Sequence, residues 1–124
     1  MKIKKILIVD DDVDYMNELG EFLLIEDFTV TKKNNTHKIL LFIQKIKPDL
    51  IILDLKINGM TGIDVTRILK GCNATKGIPI ILVSNFHNAD SNNRTVIESG
   101  VQIYLKKPLN PELLINEIRK IETG

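Results

Sequence analysis

The chain has 124 residues, of which 44% are hydrophobic and 27% charged, a composition that is typical of one globular domain and excludes a disordered chain or a membrane protein. Seventeen basic and sixteen acidic residues leave a net charge of +1, without a basic run long enough to bind nucleic acid directly. Only four apolar residues separate the basic start from Asp10, too few for a signal peptide or a spanning helix, so we expect a cytoplasmic protein.

Short apolar blocks and amphipathic segments alternate along the whole chain. In order, the pattern predicts a strand over 6–9, a helix around 15–23, a strand over 28–30, a helix around 39–46, a strand over 50–53, a helix around 63–69, a strand over 79–83, a helix near 94–99, a strand over 101–105 and a helix around 114–121. This alternation predicts an α/β fold with a parallel sheet and helices on both faces. The last helix runs almost to the end, so we expect one domain over residues 1–124 with no room for an output domain.

Capping residues, proline and glycine mark the ends of the predicted helices. Asp12 and Asn110 are in position to cap the first and last helices, and Thr36 to cap the second. Pro48 should end the second helix and Gly100 the fourth.

Four of the five predicted strands stop at residues that can do chemistry. They are Asp10 and Asp11 after the first strand, Asp54 after the third, Ser84 after the fourth and Lys107 after the fifth. Ligands of open parallel sheets bind at this carboxyl edge, and carboxylates gathered there repel one another unless a hard cation such as Mg²⁺ binds between them. A carboxylate so placed can attack phosphorus while a lysine and a hydroxyl balance the charge on the phosphoryl oxygens.

These strand ends carry a resemblance that covers essentially the whole chain. Four stretches of this chain, residues 6–11, 54–62, 83–84 and 104–108, resemble the receiver domains of bacterial response regulators. The resemblance implies a flavodoxin-like, doubly wound sheet of five parallel strands in the order 2-1-3-4-5 with five helices. It also implies a magnesium-dependent phosphoacceptor in two-component signalling, in which Mn²⁺ can substitute for Mg²⁺.

The resemblance assigns the metal and the phosphoryl group to particular residues. Asp54 matches the phosphoacceptor, Asp11 a direct magnesium ligand and Asp10 a contributor that often acts through water. The backbone carbonyl of Lys56 should complete the protein ligands. Lys107 matches the lysine that pairs with the phosphoryl group, and its bond to the following proline is expected to be cis.

The resemblance also implies a switch and a set of partners. Ser84 matches the switch hydroxyl, and Tyr104 the aromatic side chain that swings inward when that hydroxyl moves. The donor is expected to be a histidine kinase or a histidine phosphotransfer protein that meets the first helix near Tyr15. Output would pass to a protein target or a fused output domain, with no direct contact to nucleic acid or membrane. The domain would be a monomer that can pair on activation, and no enzyme beyond its own phosphotransfer and slow autodephosphorylation.

Two positions depart from the family pattern. Asn58 stands where proline is usual, which predicts a less rigid loop after Asp54. Asn85 stands where a very small residue is usual, and we expect its bulk to alter the rate of phosphorylation or hydrolysis. Phe86 and Lys56 flank the site and could tune the access of water.

Three other functions are open to the same residues. A haloacid dehalogenase type hydrolase would need a threonine-containing pattern after its second aspartate, whereas Val13 and Asp14 follow Asp12. A calcium-binding EF-hand loop would need a glycine where Tyr15 stands. A degenerate receiver that binds partners without phosphorylation would usually have lost an acidic residue or the lysine, and none is missing.

Overall fold

The computed structural model describes residues 1–84 and 94–124. Its strands there are Lys5–Val9 (β1), Thr29–Lys33 (β2), Leu50–Asp54 (β3), Lys56–Ile57 (β4), Met60–Thr61 (β5), Ile80–Ser84 (β6) and Ile103–Lys106 (β7). Its helices there are Val13–Ile25 (α1), Ile39–Ile46 (α2), Gly62–Lys70 (α3), Arg94–Ser99 (α4) and Pro111–Thr123 (α5). The hypotheses about Asn85 and Phe86 fall outside the described residues.

Five parallel strands form the main sheet in the order β2-β1-β3-β6-β7. Without the two-residue strands β4 and β5, this is the predicted order 2-1-3-4-5, so the doubly wound fold is confirmed. The β4–β5 hairpin was not predicted, and it turns at Asn58 and at Gly59, which has a φ of 88°. Asn58 occupies this turn without the φ restriction that proline would bring.

The core has two halves, one on each face of the sheet. Alternate residues of the central strands face opposite ways, because successive side chains of a strand point to opposite faces. One face of β1, β3 and β6 packs with α1 and α5 (Ile6, Ile8, Leu50, Ile52, Ile81, Val83, with Leu114 and Ile118). The other face packs with α2, α3 and α4 (Leu7, Val9, Ile51, Leu53, Ile80, Leu82, with Ile43, Val65 and Val96). These strands are therefore buried on both sides, and their parallel pairing places their carboxyl ends at one edge.

The helix boundaries confirm two predicted caps and correct a third. The Asp12 side chain accepts from the backbone N–H of Tyr15 and caps α1, and Asn110 caps α5. Thr36 does not cap α2, which begins at Ile39 after Lys38 in a left-handed conformation. A turn replaces the side-chain cap, since the backbone carbonyl of Thr36 accepts from the N–H of Ile39.

The two ends of the described chain lie together at the amino edge of the sheet. The terminal amine of Met1 donates to the backbone carbonyl of Glu122 at 3.2 Å. The backbone N–H of Ile3 donates to the Glu122 carboxylate at 2.8 Å. The end of α5 is therefore tied to the segment that leads into β1.

Candidate functional site

The predicted site residues converge at the carboxyl edge of the sheet. Val9 pairs with Leu53 in neighbouring strands, so Asp10 and Asp54, the next residues, lie side by side. Ser84 ends β6 opposite Lys106 of β7, and its backbone carbonyl accepts from the N–H of Lys107 at 2.8 Å. The sheet register thus brings four separate stretches of sequence to one place.

Three carboxylates form the acidic part of the site. One oxygen from each of Asp10, Asp11 and Asp54 lies within 4.8 Å of the others. Asp10 is 1% exposed and Asp54 7% exposed, whereas Asp11 is exposed. Two nearly buried carboxylates so close together are unfavourable unless a cation or a proton compensates their charge.

Lys107 supplies a positive charge within this cluster. Its Nζ lies 2.7 Å from Asp10 Oδ2 and 3.6 Å from Asp54 Oδ2. The lysine is thus hydrogen-bonded to Asp10 and stands at the edge of ion-pair distance from Asp54. The peptide bond between Lys107 and Pro108 is cis, as the resemblance implied.

Burial and neighbouring charge raise the pKa of Asp54 to about 6. Burial is the largest cause, and the negative charges of Asp10 and Asp11 act in the same direction. The ammonium of Lys107 and the hydrogen bond from the backbone N–H of Lys56 lower it but do not cancel the rise. Asp54 therefore carries an unfavourable negative charge at neutral pH, and a bound cation would relieve it.

The turn after Asp54 is held by backbone contacts. Gly62 begins α3, and a Cβ placed on it would clash with the backbone carbonyl oxygen of Asp54. The N–H of Gly62 donates to the carbonyl of Leu55 at 2.7 Å. Thr61 and Asp64 complete a capping box at the same helix start. Only glycine can bring α3 this close to the candidate phosphoacceptor.

The predicted switch residues lie in neighbouring strands. Ser84 is 1% exposed, and Tyr104 pairs with Leu82 and packs on the α2–α4 half of the core. The Tyr104 hydroxyl is buried and has no hydrogen-bond partner among the described residues. The strands thus give the positions of Ser84 and Tyr104, and their switching role stays a prediction. The role of the Lys56 carbonyl as a metal ligand also stays a prediction.

One neighbour of the site was missed by sequence reasoning. The ring of Tyr15, in the first turn of α1, has the Nζ of Lys107 4.2 Å from its centroid. Burial, followed by the charges of Asp10 and Asp54, raises the pKa of the Tyr15 hydroxyl. In the sequence, Tyr15 follows the acidic end of the first strand closely. Its helical spacing from other apolar residues indicated only that it lies on the buried face of the first helix.

The donor set suits a hard divalent cation. The three clustered groups all offer carboxylate oxygens, the ligands that Mg²⁺ and Mn²⁺ take in proteins. Asp11 is exposed, so the site is open to the water that Mg²⁺ usually keeps in its coordination shell. The residues therefore fit the predicted ion.

Comparisons with known proteins agree with this geometry. The protein-family model that describes the response regulator receiver domain matches residues 6–119 of this chain. DNA-binding response regulator MtrA of Mycolicibacterium paratuberculosis is 34% identical over 119 residues, which are 94% of this chain and 50% of that protein. Phosphate regulon transcriptional regulatory protein PhoB of Pseudomonas aeruginosa is 32% identical over 118 residues, 95% of this chain and 51% of that protein.

Structural similarity extends over nearly the whole chain. A two-component response regulator from Clostridium difficile superposes with a TM-score of 0.86 at 29% sequence identity, covering 97% of this chain and 96% of that one. The chain spans about half the length of the curated relatives it matches. Within residues 1–84 and 94–124, no helix is both long and apolar enough to cross a bilayer.

Proposed function

The chain belongs to the response regulator receiver domain family, and from that premise we propose that it accepts a phosphoryl group on Asp54 in a magnesium-dependent reaction. The donor would be a histidine kinase or a histidine phosphotransfer protein. One observation carries the proposal, which is the convergence of the Asp54 carboxylate with two further carboxylates and the Lys107 ammonium at one edge of the sheet.

The transfer would use Asp54 as a nucleophile. A carboxylate oxygen attacks phosphorus, an O–P bond forms, and the N–P bond to the donor imidazole breaks, with the leaving nitrogen taking a proton from water. Asp54 must be ionised to attack, and a pKa of about 6 leaves most of it ionised at neutral pH. Lys107 stands 3.6 Å from the attacking carboxylate, and its charge would stabilise the equatorial phosphoryl oxygens.

Asp10, Asp11, Asp54 and the backbone carbonyl of Lys56 are proposed to hold Mg²⁺, with Mn²⁺ as a substitute. The ion would neutralise charge on the phosphoryl oxygens and on the carboxylate cluster. Support comes from the clustering of the three carboxylate oxygens within 4.8 Å. Lys56 follows Asp54 by two residues, and its N–H already donates to the Asp54 carboxylate.

Phosphorylation is proposed to change the surface on the Tyr104 side of the sheet. Ser84 would donate its hydroxyl to the new phosphoryl group, and Tyr104 would follow the movement of that hydroxyl. Support comes from the position of Ser84 at the end of β6 and from the unpartnered Tyr104 hydroxyl among the described residues. A buried hydroxyl without a partner costs free energy, so this atom does not stabilise the resting position of the Tyr104 ring.

The setting of this reaction follows from the family. We propose a cytoplasmic domain that is a monomer at rest, can pair on activation, and catalyses only its own phosphotransfer and slow autodephosphorylation. The relatives named above are a DNA-binding regulator and a transcriptional regulator. Output through a downstream protein or a fused domain is therefore proposed here, with the receiver itself free of nucleic acid and membrane. Phosphorylation-independent partner binding is not favoured, because the acidic cluster and the lysine are both in place.

Intact mass after exposure to acetyl phosphate or phosphoramidate, with and without Mg²⁺, tests the proposal. The parent should gain one phosphoryl group only with Mg²⁺, and Asp54→Asn should gain none. Asp12→Asn is the matched control, because Asp12 is an exposed helix cap close to the cluster and asparagine caps equally well. A folded parent that gains no mass would refute the proposal and favour the phosphorylation-independent receiver.

A further inference from the structure

The Lys107 ammonium has a second neighbour besides the carboxylates. Its Nζ lies 4.2 Å from the centroid of the Tyr15 ring, well inside the distance of about 6 Å at which a cation is attracted to an aromatic face. Asp10 holds the same ammonium at 2.7 Å. The Lys107 side chain is only 12% exposed, so this contact is partly shielded from water, which strengthens it.

The ring, and not the hydroxyl, makes the favourable contact of Tyr15. The hydroxyl is buried and has no hydrogen-bond partner among the described residues. A buried hydroxyl without a partner costs free energy. Removing the hydroxyl should therefore keep the contact with Lys107, whereas removing the ring should abolish it.

Two hydrogen bonds tie the backbone of Tyr15 to the acidic cluster. The backbone N–H of Tyr15 donates to the Asp12 side chain at 3.1 Å, and the N–H of Asp12 donates to Asp10 Oδ1 at 2.9 Å. The helix cap Asp12 thus links the first turn of α1, which carries the ring, to Asp10 at the end of β1. The carboxylate and the ring contact the Lys107 ammonium from two directions, and both contacts restrict a side chain that is otherwise long and flexible.

We infer that Tyr15 is a positioning residue for Lys107, with a ring face that holds the ammonium beside Asp54 before and after phosphoryl transfer. This inference rests on the proposed function. The hydrogen bond to Asp10 depends on distance and angle, and it must loosen when the ammonium turns to the phosphoryl oxygens. The attraction to the ring tolerates such a shift, since it extends to about 6 Å.

Two substitutions separate the ring from the hydroxyl. With phosphoramidate and saturating Mg²⁺, Tyr15→Leu should lower the phosphorylation rate constant about fivefold, which corresponds to about 1 kcal/mol. Tyr15→Phe keeps the ring and should stay within about twofold of the parent. Phe22→Leu is the matched control, because Phe22 lines the same groove of about 350 Å³ between α1 and the segment before α5. Phe22 lies about 10 Å further along the helix, so its loss should affect packing but not the rate.

Ring-current shifts provide a readout that does not depend on phosphorylation. The ε-methylene protons of Lys107 should resonate upfield of the other lysines in the parent, in Tyr15→Phe and in Phe22→Leu, and should lose that shift in Tyr15→Leu. Rates are compared per folded protein, so a loss of stability alone cannot produce the pattern.

The outcomes separate this inference from the proposed function. An unshifted Lys107 in the parent, a Tyr15→Leu rate equal to the parent's, or an equal loss of rate in Phe22→Leu would overturn the positioning role while phosphorylation itself stands. A parent that shows the shift but takes up no phosphoryl group would overturn both the proposed function and the role built on it.

Discussion

Replacing Asp54 with asparagine should stabilise the metal-free protein at neutral pH. Asp54 is 7% exposed, shares the site with Asp10 and Asp11, and is further from Lys107 than Asp10 is. Raising its pKa from 3.8 to about 6 means that ionising it costs the folded state about 3 kcal/mol at pH well above 6. Solvent reaches this open edge, and screening reduces the effect to about 2 kcal/mol.

The effect has a defined pH dependence. The folded protein binds the Asp54 proton more tightly than the unfolded chain does, so this group favours folding at low pH and opposes it as pH rises from 3.8 through about 6. The gain from Asp54→Asn should therefore be about 2 kcal/mol at pH 7.5 and shrink to about 0.5 kcal/mol at pH 4.

Urea unfolding in EDTA at both pH values measures this gain. Asp12→Asn removes a negative charge from the same region but keeps its helix cap, and it should leave the free energy of unfolding within about 0.5 kcal/mol of the parent. If Asp54→Asn is no more stable than the parent at pH 7.5, or if its gain is the same at pH 4, the electrostatic account of the site is wrong.

Three further measurements probe the surroundings of the site. Gly62→Ala should lower the free energy of unfolding by about 2 kcal/mol or more, because its Cβ meets the Asp54 carbonyl oxygen, whereas Gly77→Ala, with nothing within 4 Å, should be nearly neutral in the same urea assay. Asn110→Ala should cost about 1 kcal/mol through loss of the α5 cap, and an unchanged urea midpoint would contradict that role. Asp11→Asn should weaken Mg²⁺ binding at least about tenfold in calorimetric titration, and equal affinity would remove Asp11 from the ligand set.

The sheet and most of the site could be predicted because central strands of a parallel sheet have a strong sequence signature. The block that ends at Asp54 is apolar on both sides, and parallel pairing then places its last residue beside Asp10. The edge strand β2 was harder, since its Lys32 and Lys33 carry no apolar signal and pair with β1 only in the fold.

Other features depend on tertiary contacts that no local pattern contains. The two-residue strands β4 and β5 are too short to show a period. The start of α2 is set by a backbone turn. Thr36 has a side chain that is common at helix caps, but it lies before the residue at which the helix begins. The contact between Tyr15 and Lys107 joins α1 to the end of β7, and only the three-dimensional fold reveals it.

The hydrogen bonds from Met1 and Ile3 to Glu122 have a practical consequence for experiments. They hold both ends of the described chain at the edge of the sheet opposite the carboxylates, a strand length of about 16 Å from Asp54. A fluorophore or an affinity handle attached at either end would project away from the site. When the protein is immobilised on a surface through either end, the acidic edge should therefore face the solution and remain accessible to a binding partner.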